Sequence, residues 1–201
     1  MPAHSQTSTA AIVAAGRRLL EQRGVDALTM HDVAVAVGVR APSLYKRVSG
    51  RSDLLRLILE DATDELTSAL DAAAGSGEPV ADLRAMAAAY RRFAHCHPVT
   101  YSLMYAPHSP PGATQRSARS SATLLRIVTE LAGPRHALLA ARTIVAWANG
   151  FIMMELAGAF RLGGDVEQAW TFGLDQILTA ICRAGRPRHR VGPANRTPAA
   201  P

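Results

Sequence analysis

Residues 29–55 read TMHDVAVAVGVRAPSLYKRVSGRSDLL and carry the local signals of two short helices joined by a tight turn. The Thr29 hydroxyl can accept a hydrogen bond from a free backbone N–H of the first helical turn, and Asp32 stands where a capping box has its acidic partner. Apolar residues follow at helical spacing, at Met30, Val33, Ala34 and Val37. Since glycine adopts a left-handed conformation cheaply, Gly38 is predicted to end this first helix.

A second helix is predicted to begin at Ala41-Pro42, because a proline in the first turn has no N–H to lose. Leu44 and Val48 are four residues apart and would anchor this helix inward. The residues left facing outward are Ser43, Tyr45, Lys46 and Arg47. A single exposed tyrosine or arginine is usually plain surface. Together, however, these features indicate a helix–turn–helix, which leads into the DNA major groove with the N-terminal residues of its second helix.

The pattern resembles the TetR family of bacterial repressors over residues from about 8 to 60. The positions that carry the resemblance are Thr29, Gly38, Val39, Pro42, Leu44, Tyr45, Arg51, Leu54 and Leu55. The family likeness implies an all-α fold of about nine helices, with an N-terminal helix–turn–helix head of three helices and a C-terminal helical-bundle body. It also implies a homodimer that holds two heads one DNA turn apart.

The resemblance further implies how the head meets a double-stranded DNA operator. Thr29 and the N–H groups after it would bind a phosphate, Arg51 would add a backbone contact, and Tyr45 would bond a phosphate while its ring packs along a sugar. Arg47 faces the same way, and His31 aligns with a position that can read a base. The residues near base edges would be Arg40, Ala41, Pro42, Ser43 and Lys46. The full implied set is Thr29, Met30, His31, Arg40, Ala41, Pro42, Ser43, Tyr45, Lys46, Arg47 and Arg51.

Length and charge agree with this interpretation. The 201 residues suit one ordinary domain plus a small one, and 48% apolar residues allow a substantial core. Residues 1–55 carry seven Lys or Arg against four Asp or Glu, 56–182 carry ten against twelve, and 183–201 carry five against none. A basic front end suits phosphate neutralisation. The tail, rich in Pro and Arg, lacks apolar periodicity and is predicted to be disordered, with a solvated tail favoured over a second DNA contact.

The rest of the chain has helical periodicity and no convincing strand alternation. Helices are predicted over about 9–23, 51–72, 79–96, 98–105, 115–132, 134–162 and 166–184, of which 134–162 is the longest. Residues 106–114 cannot be regular structure, because Pro110-Pro111-Gly112 breaks both periods. The predicted domains are a DNA-binding head at 1–50, with the start of helix four to about 60, a ligand-binding and dimerisation body at 51–185, and a disordered basic tail at 186–201.

By resemblance, helices 134–162 and 166–184 would form a four-helix bundle across the dimer axis. Small residues would allow close helix approach, namely Gly150, Ala157, Gly158 and Gly173. The same faces could be internal core of a monomer, but the length and apolarity of both helices favour the dimer. The body would also enclose an apolar cavity for an unknown small-molecule effector. The candidate wall residues of this cavity are Tyr90, Phe93, Tyr101, Met104, Trp147, Phe151 and Met154. Taken alone, each of them is more simply explained as an ordinary core residue.

Two body segments resemble one subclass of TetR C-terminal domains, which is marked by a Trp-His-Gly element. They are HPVTYSLMYAPH at 97–108 and AWANGF at 146–151. Asn149 stands where that element has histidine, so a role for the histidine does not carry over.

Other chemistry finds little support in the sequence. Cys96 and Cys182 are isolated, which is typical of reduced thiols in the cytoplasm. Consecutive residues at 95–97 (His-Cys-His) would diverge by about 100° each around a helix, too far to meet one metal ion, and His97 is expected to cap the helix that starts at Pro98. We find no apolar run of 18 residues, no signal peptide and no catalytic motif. The prediction is a cytoplasmic, nucleoid-associated protein with no membrane contact, enzymatic activity, cofactor or metal.

The sequence therefore predicts a transcriptional regulator, in the first place a repressor released from its operator by a small apolar ligand. Two alternatives stay open. The chain could be a ligand-binding sensor or scavenger whose head does not bind DNA. It could also be a helical-bundle enzyme, for which Glu155, in the middle of an apolar helix, is the available acid or base. In a simpler account Glu155 lies in the dimer seam or binds a ligand.

Overall fold

A computed structural model of the chain describes residues 8–106 and 113–185, with the backbone alone for 113–120. The described residues form nine helices and no strand, and the helices are α1 Thr9–Arg23, α2 Met30–Ala36, α3 Ala41–Leu44, α4 Arg51–Ala73, α5 Pro79–Cys96, α6 Pro98–Met104, α7 Ala113–Ala132, α8 Ala137–Leu156 and α9 Val166–Ala184. The predicted all-α fold, a helix–turn–helix head followed by a helical body, is confirmed. Of the predicted irregular segment at 106–114, residues 107–112 lie outside the described residues, as does the basic tail at 186–201. Ala113 and Thr114 belong to α7, which begins two residues earlier than predicted.

Helices α1, α2 and α3 pack with the first half of α4 around the apolar core of the head. Ser8 caps α1 by accepting a hydrogen bond from the Ala11 N–H at 3.1 Å. Helix α1 lies so close to α4 that a Cβ on Gly16 would stand 3.1 Å from Ile58 Cδ1, which explains a glycine on an inward face. The head core includes Ile12, Leu20, Leu28, Val33, Leu44, Val48, Leu54 and Ile58. Of these, Val33, Leu44 and Val48 are positions that helical spacing predicted to be inward.

Helix α4 continues from the head into the body, where it packs against α5 and α7. Its length makes it the rigid connection between the two cores. The loop that follows is held by Asp82, whose Oδ1 accepts hydrogen bonds from the Ser76 N–H at 2.9 Å and the Ser76 hydroxyl at 2.6 Å. The body core includes Leu66, Leu83, Met86, Ile127, Val128, Ile144, Ile152, Leu174 and Leu178.

Helix α8 is shorter than predicted. It spans Ala137–Leu156 rather than 134–162, so α4 is the longest helix in the part of the chain described. Gly158 ends it with a φ of +62°, and the N–H groups of Gly158 and Ala159 donate to the carbonyls of Glu155 and Met154, both at 2.9 Å. This pair of bonds is a Schellman motif, which requires the left-handed residue at the position of Gly158. Gly158 therefore has a local role as the residue that stops the helix, and its predicted role at a dimer seam stays a prediction.

Among the described helices, α8 alone has the length and apolar composition of a membrane span. This is weak evidence, because core helices of water-soluble proteins pass the same test. In this fold α8 packs between α5, α7 and α9, with buried residues along its length such as Ala141, Ile144, Ala148 and Ile152.

Candidate DNA-binding surface and body interior

The first helix of the helix–turn–helix begins at Thr29, whose hydroxyl forms two hydrogen bonds within the protein. Thr29 Oγ1 accepts a hydrogen bond from the Asp32 N–H at 3.1 Å and donates one to Asp32 Oδ2 at 2.6 Å. The hydrogen bond from Thr29 lowers the pKa of the Asp32 carboxyl, so this residue is an anion near neutral pH. The backbone N–H groups of Met30 and His31 have no acceptor among the described residues. They are the groups at this helix start that remain free to donate.

The turn between α2 and α3 is rigid for a local reason. Gly38 has a φ of +72°, and the N–H groups of Gly38 and Val39 donate to the carbonyls of Val35 and Ala34 at 3.1 and 3.0 Å. This is again a Schellman motif, as the glycine predicted. Beyond it, Leu44 and Val48 are fully buried and hold α3 against the head core.

Burial of those two residues turns a set of basic and polar side chains outward. We call this set the recognition surface, and it consists of Arg40, Pro42, Tyr45, Lys46 and Arg47, all exposed. Ala41 and Ser43 lie beside it and are half-buried. In the described part of the chain no carboxylate pairs with Arg40, Lys46 or Arg47. Their three positive charges are therefore free to meet an anion.

Arg51 has a role that the sequence did not indicate. Its Nε donates a hydrogen bond to the Leu28 carbonyl at 3.0 Å, and its Nη2 donates to the Val25 carbonyl. The guanidinium thus ties the loop between α1 and α2 to the start of α4. A phosphate contact by Arg51 stays a prediction, but the residue also supports the fold of the head.

In the body, four polar side chains form a chain of hydrogen bonds, which we call the tyrosine network: Tyr105, Tyr90, Tyr101 and Asn149. The Tyr90 and Tyr105 hydroxyls are 2.6 Å apart, and the Tyr101 hydroxyl lies 3.1 Å from that of Tyr90 and 2.8 Å from Asn149 Oδ1. Burial raises the pKa of the Tyr90 and Tyr101 hydroxyls, so both are uncharged near neutral pH, whereas Tyr105 at the end of the network is 44% exposed. Since Asn149 Oδ1 can only accept, Tyr101 donates to it, and the Asn149 amide N–H groups have no partner in the described residues.

A second group, on the other side of α8, is aromatic. Trp147 stacks on Trp170 with ring centroids 4.8 Å apart, and Phe151 packs against Trp170 at 5.3 Å and against Phe160 at 4.8 Å. A Cβ on Gly173 would stand 2.5 Å from Trp147 Cζ2. Gly173 therefore makes room for a tryptophan of its own chain, which differs from the predicted role in the dimer seam.

The seven predicted wall residues thus divide into separate places. Tyr90 and Tyr101 belong to the tyrosine network, whereas Met104 is partly buried and packs against the body core. Trp147 and Phe151 lie about 200° around α8 from Asn149, since each is two residues away. Met154 is exposed, and Phe93 packs on His97 near the head, with ring centroids 5.1 Å apart. Tyr105 and Asn149 joined the network without having been predicted as wall residues. The available signals were the i, i+4 spacing of Tyr105 from Tyr101 and, for Asn149, its place in the segment 146–151.

Glu155 is an ion-pair partner inside the body. Its two carboxylate oxygens accept hydrogen bonds from Arg91 Nη2 at 2.6 Å and Arg91 Nε at 2.9 Å, and His95 Nε2 lies 3.0 Å away. Arg91 also pairs with Glu167 and covers the Trp170 ring at 5.0 Å. The hydrogen bonds from Arg91 lower the pKa of Glu155, which is opposite to the raised pKa that a general base or acid near neutrality needs.

The histidines at 95 and 97 point to different partners, as the divergence of consecutive helical residues predicted. His95 approaches Glu155, whereas His97 packs on Phe93 and lies 3.4 Å from Glu65. The described residues contain no group of three side chains that could hold a metal. His97 is the N-cap residue of α6, as predicted, and its carbonyl accepts a hydrogen bond from the Tyr101 N–H at 2.8 Å. Its side chain makes no capping hydrogen bond, and the carboxylate of Glu21 accepts from the N–H groups of the first turn instead.

Helices α8 and α9 also expose several large apolar side chains, and we call their solvent-exposed sides together the α8–α9 face. Its large exposed residues are Leu138, Leu139, Val145, Met154 and Phe172, of which Phe172 is 68% exposed. Gly150 lies on the exposed side of α8, with no neighbouring atom within 4 Å of a Cβ placed on it. Exposed apolar area of this kind, on two neighbouring helices, is typical of a protein–protein interface.

The fold and the recognition surface define a helix–turn–helix DNA-binding protein with an all-helical body. Two family profiles match the chain: "Bacterial regulatory proteins, tetR family" over residues 12–58 and "Tetracyclin repressor-like, C-terminal domain" over residues 83–177. The chain carries both domains of TetR proteins and belongs to the TetR family of transcriptional regulators.

Individual relatives agree with this assignment. An HTH-type transcriptional regulator of Mycobacterium tuberculosis is 28% identical over 159 residues, which cover 77% of this chain and 72% of the relative. A Rhodococcus structure of unknown function has a TM-score of 0.77 at 27% identity and covers 90% of this chain and 98% of its own. The fold is also that of a TetR variant from Acinetobacter baumannii solved in complex with minocycline, with a TM-score of 0.66 at 20% identity, covering 90% of this chain and 99% of that one.

Proposed function

We propose that this TetR-family regulator is a repressor that binds a two-half-site DNA operator and leaves it when a small apolar ligand enters the body. The observation that carries the proposal is the recognition surface. It places three unpaired cations and an exposed tyrosine at the two ends of the short helix α3, whose orientation is held by a rigid turn. Arg40 and Lys46 are the side chains best placed to reach base edges, and the Met30 and His31 N–H groups suit a phosphate.

Two heads at a fixed spacing require a dimer, and the α8–α9 face supports one. Five large apolar side chains exposed on α8 and α9 are costly in water unless a second copy covers them. In a symmetric pair the same face of each subunit would meet its equivalent. We place such a dimer in the cytoplasm, on the nucleoid, where its operator would be.

The ligand site is proposed around the tyrosine network. An uncharged set of hydroxyls with an unpartnered amide N–H, set in an apolar body, suits a mainly apolar molecule with one or two hydrogen-bonding groups. The minocycline complex of the A. baumannii protein supports a ligand role for a body of this fold. The likeness to the Trp-His-Gly subclass fits too, since Asn149 stands at the histidine position and belongs to the network.

Release follows from a difference in ligand affinity between two states. If the ligand binds more tightly to a body whose heads are wrongly spaced for the operator, its binding shifts the population toward that state. By linkage, operator DNA weakens ligand binding by the same factor.

The experiment that tests the proposal is DNA binding by the purified protein over a salt series. Duplexes from the region upstream of its own gene are compared with a shuffled duplex of the same composition. We expect preferential binding to the first, with affinity that falls steeply as salt rises. Equal, weak binding to all duplexes from that region and to the control would count against an operator there. It would favour the alternative of a ligand-binding protein whose head does not bind DNA.

A further inference from the structure

Helix α6 touches both the head and the body with its two faces. Val99 and Leu103, one turn apart, pack against the head core. Thr100 and Tyr101 are fully buried, and Tyr101 and Met104 belong to the body core. Apart from α4, α6 is the body helix that packs substantially against α1. Any change in the position of α6 is therefore transmitted to both cores.

The start of α6 is held by a residue of the head. Glu21 of α1 accepts a hydrogen bond from the Val99 N–H at 3.1 Å through Oε2 and from the Thr100 N–H at 2.9 Å through Oε1. Pro98 has no N–H, and His97 supplies no side-chain cap. The carboxylate of Glu21 thus satisfies the free donors of the first turn and places a negative charge at the positive end of the helix.

The same face of α1 also binds α4. Arg17, one turn before Glu21, pairs with Asp61 at 3.3 Å and with Glu65, and its guanidinium lies 5.9 Å from the centre of the Phe93 ring of α5. Consecutive turns of α1 therefore hold two different body helices. Arg17 fixes α1 on α4, and Glu21 fixes α6 relative to that pair.

The position of α6 also leaves a buried polar group unsatisfied. Among the described residues Thr100 Oγ1 has no hydrogen-bond partner, and the side chain is completely buried. Such a group disfavours the position in which it is found. The two hydrogen bonds to Glu21 act against that cost.

The other side of α6 reaches the tyrosine network through Tyr101. One short helix therefore joins a carboxylate of the head to the hydrogen bonds of the body interior. In a dimer, a small rotation of each head about its body changes the distance between the two recognition surfaces.

We propose that Glu21 is a positioning residue that sets the angle between head and body through the N-terminus of α6, and thereby the half-site spacing that the dimer accepts. The proposal rests on the proposed function, since it concerns a dimer on a two-half-site operator. Glu21 does not touch DNA in this role; it limits the range of head orientations.

The test uses Glu21→Gln, which keeps the shape but replaces one accepting oxygen by an amide group. Asp26→Asn is the matched control, because it removes one negative charge from an exposed residue of the same head. Each full-length protein is titrated with three duplexes at one salt concentration: the operator, the operator with two base pairs inserted between half-sites, and a single half-site. Circular dichroism and melting temperature report on the fold.

We expect the wild type and Asp26→Asn to prefer the operator over the lengthened duplex by at least tenfold. For Glu21→Gln this ratio should fall to about threefold or less, with single-half-site affinity and helix content unchanged. An unchanged ratio would overturn the proposal, and so would an equal loss on all three duplexes, which would mean that Glu21 supports the head itself. If Glu21→Gln does not fold, Glu21→Asp keeps the charge but is too short to reach both N–H groups, and a smaller fall in the ratio is expected. A wild type without operator preference would instead refute the proposed function.

Discussion

Several polar residues of the head bind the protein's own backbone, and this determines which charges can meet DNA. Thr29 caps α2, Asp53 accepts a hydrogen bond from the Ser49 N–H at 2.9 Å, and Arg51 holds the loop after α1. Within the described residues, the basic side chains of the recognition surface make no hydrogen bond to the protein's own backbone. Function and folding are therefore separable by mutation in this head, which allows a direct comparison of single substitutions.

Arg51→Ala is expected to lower both stability and DNA affinity. Loss of the hydrogen bonds to the Leu28 and Val25 carbonyls should cost about 1 kcal/mol of unfolding free energy or somewhat more. Affinity for all duplexes should fall alike, because the loop and any phosphate contact are both disturbed. Lys46→Ala is the control: its melting temperature should be unchanged and its sequence preference altered. Urea unfolding and DNA titration measure the two quantities, and an Arg51→Ala protein as stable as wild type would contradict the structural role.

The ion pair of Glu155 with Arg91 should stabilise the body at pH values where the carboxyl is ionised, and this stabilisation should be lost when the carboxyl is protonated. Because the hydrogen bonds from Arg91 lower the folded-state pKa below the ordinary value of 4.5, the stabilisation is complete above that pH and is lost as the pH falls through the folded-state pKa. Glu155→Gln should be less stable than wild type at pH 7, and the difference should shrink as the pH falls below the ordinary pKa of 4.5. Unfolding in urea at a series of pH values measures it. A difference that is the same at pH 7 and pH 3 would exclude an ionic contribution.

At the scale of helices, two glycines with the same local geometry determine where α2 and α8 end. Gly38 ends α2 and orients α3, and Gly158 ends α8 with the same pair of hydrogen bonds. The first was predicted, since it lies in a recognisable motif. The helix end at Gly158 differs from the prediction because the apolar pattern continues to Leu162 and favours a longer helix. A left-handed glycine carries more information about the end of a helix than apolar periodicity does.

Gly158→Ala should destabilise the protein by about 1 kcal/mol, because an L side chain is strained at a φ of +62°. Nothing lies within 4 Å of a Cβ at this position, so the effect is conformational and not a clash. Gly75→Ala serves as the control: its φ is not positive, its Cβ would make an ordinary 3.6 Å contact, and a change within about 0.5 kcal/mol is expected. Thermal unfolding at one protein concentration compares the two, and equal melting temperatures would argue against the Schellman cap.

For the whole molecule, the α8–α9 face separates residues that hold one chain together from residues free to join two. Trp170, Leu174 and Leu178 of α9 are buried within the chain, whereas Phe172 on the same helix is exposed. An amphipathic helix of a monomer buries one stripe, and α9 has a second apolar position outside that stripe. This second position is where a partner subunit would have to bind.

Phe172→Glu should convert the proposed dimer into a monomer, because a buried, unpaired carboxylate in the seam costs several kcal/mol. Light scattering should give a mass near twice that of the chain for the wild type and near 21.3 kDa for the variant. Leu162→Glu is the control, since Leu162 is fully exposed but lies in the loop after α8. Its mass should equal that of the wild type. A wild type that is already monomeric would refute the dimer, and a dimeric Phe172→Glu would place the seam elsewhere.

The amino-acid sequence by itself determined what depends on neighbours three or four residues apart. This includes the helices, the turn at Gly38, the inward pair Leu44 and Val48, and thus the outward recognition surface. Tertiary structure decided what depends on residues far apart in sequence. Arg51 meets Leu28, Glu21 meets Thr100, and Tyr101 meets Asn149. The reason is that local backbone signals act within one helical turn, whereas a side chain's partner depends on how whole helices pack, which no short-range pattern encodes.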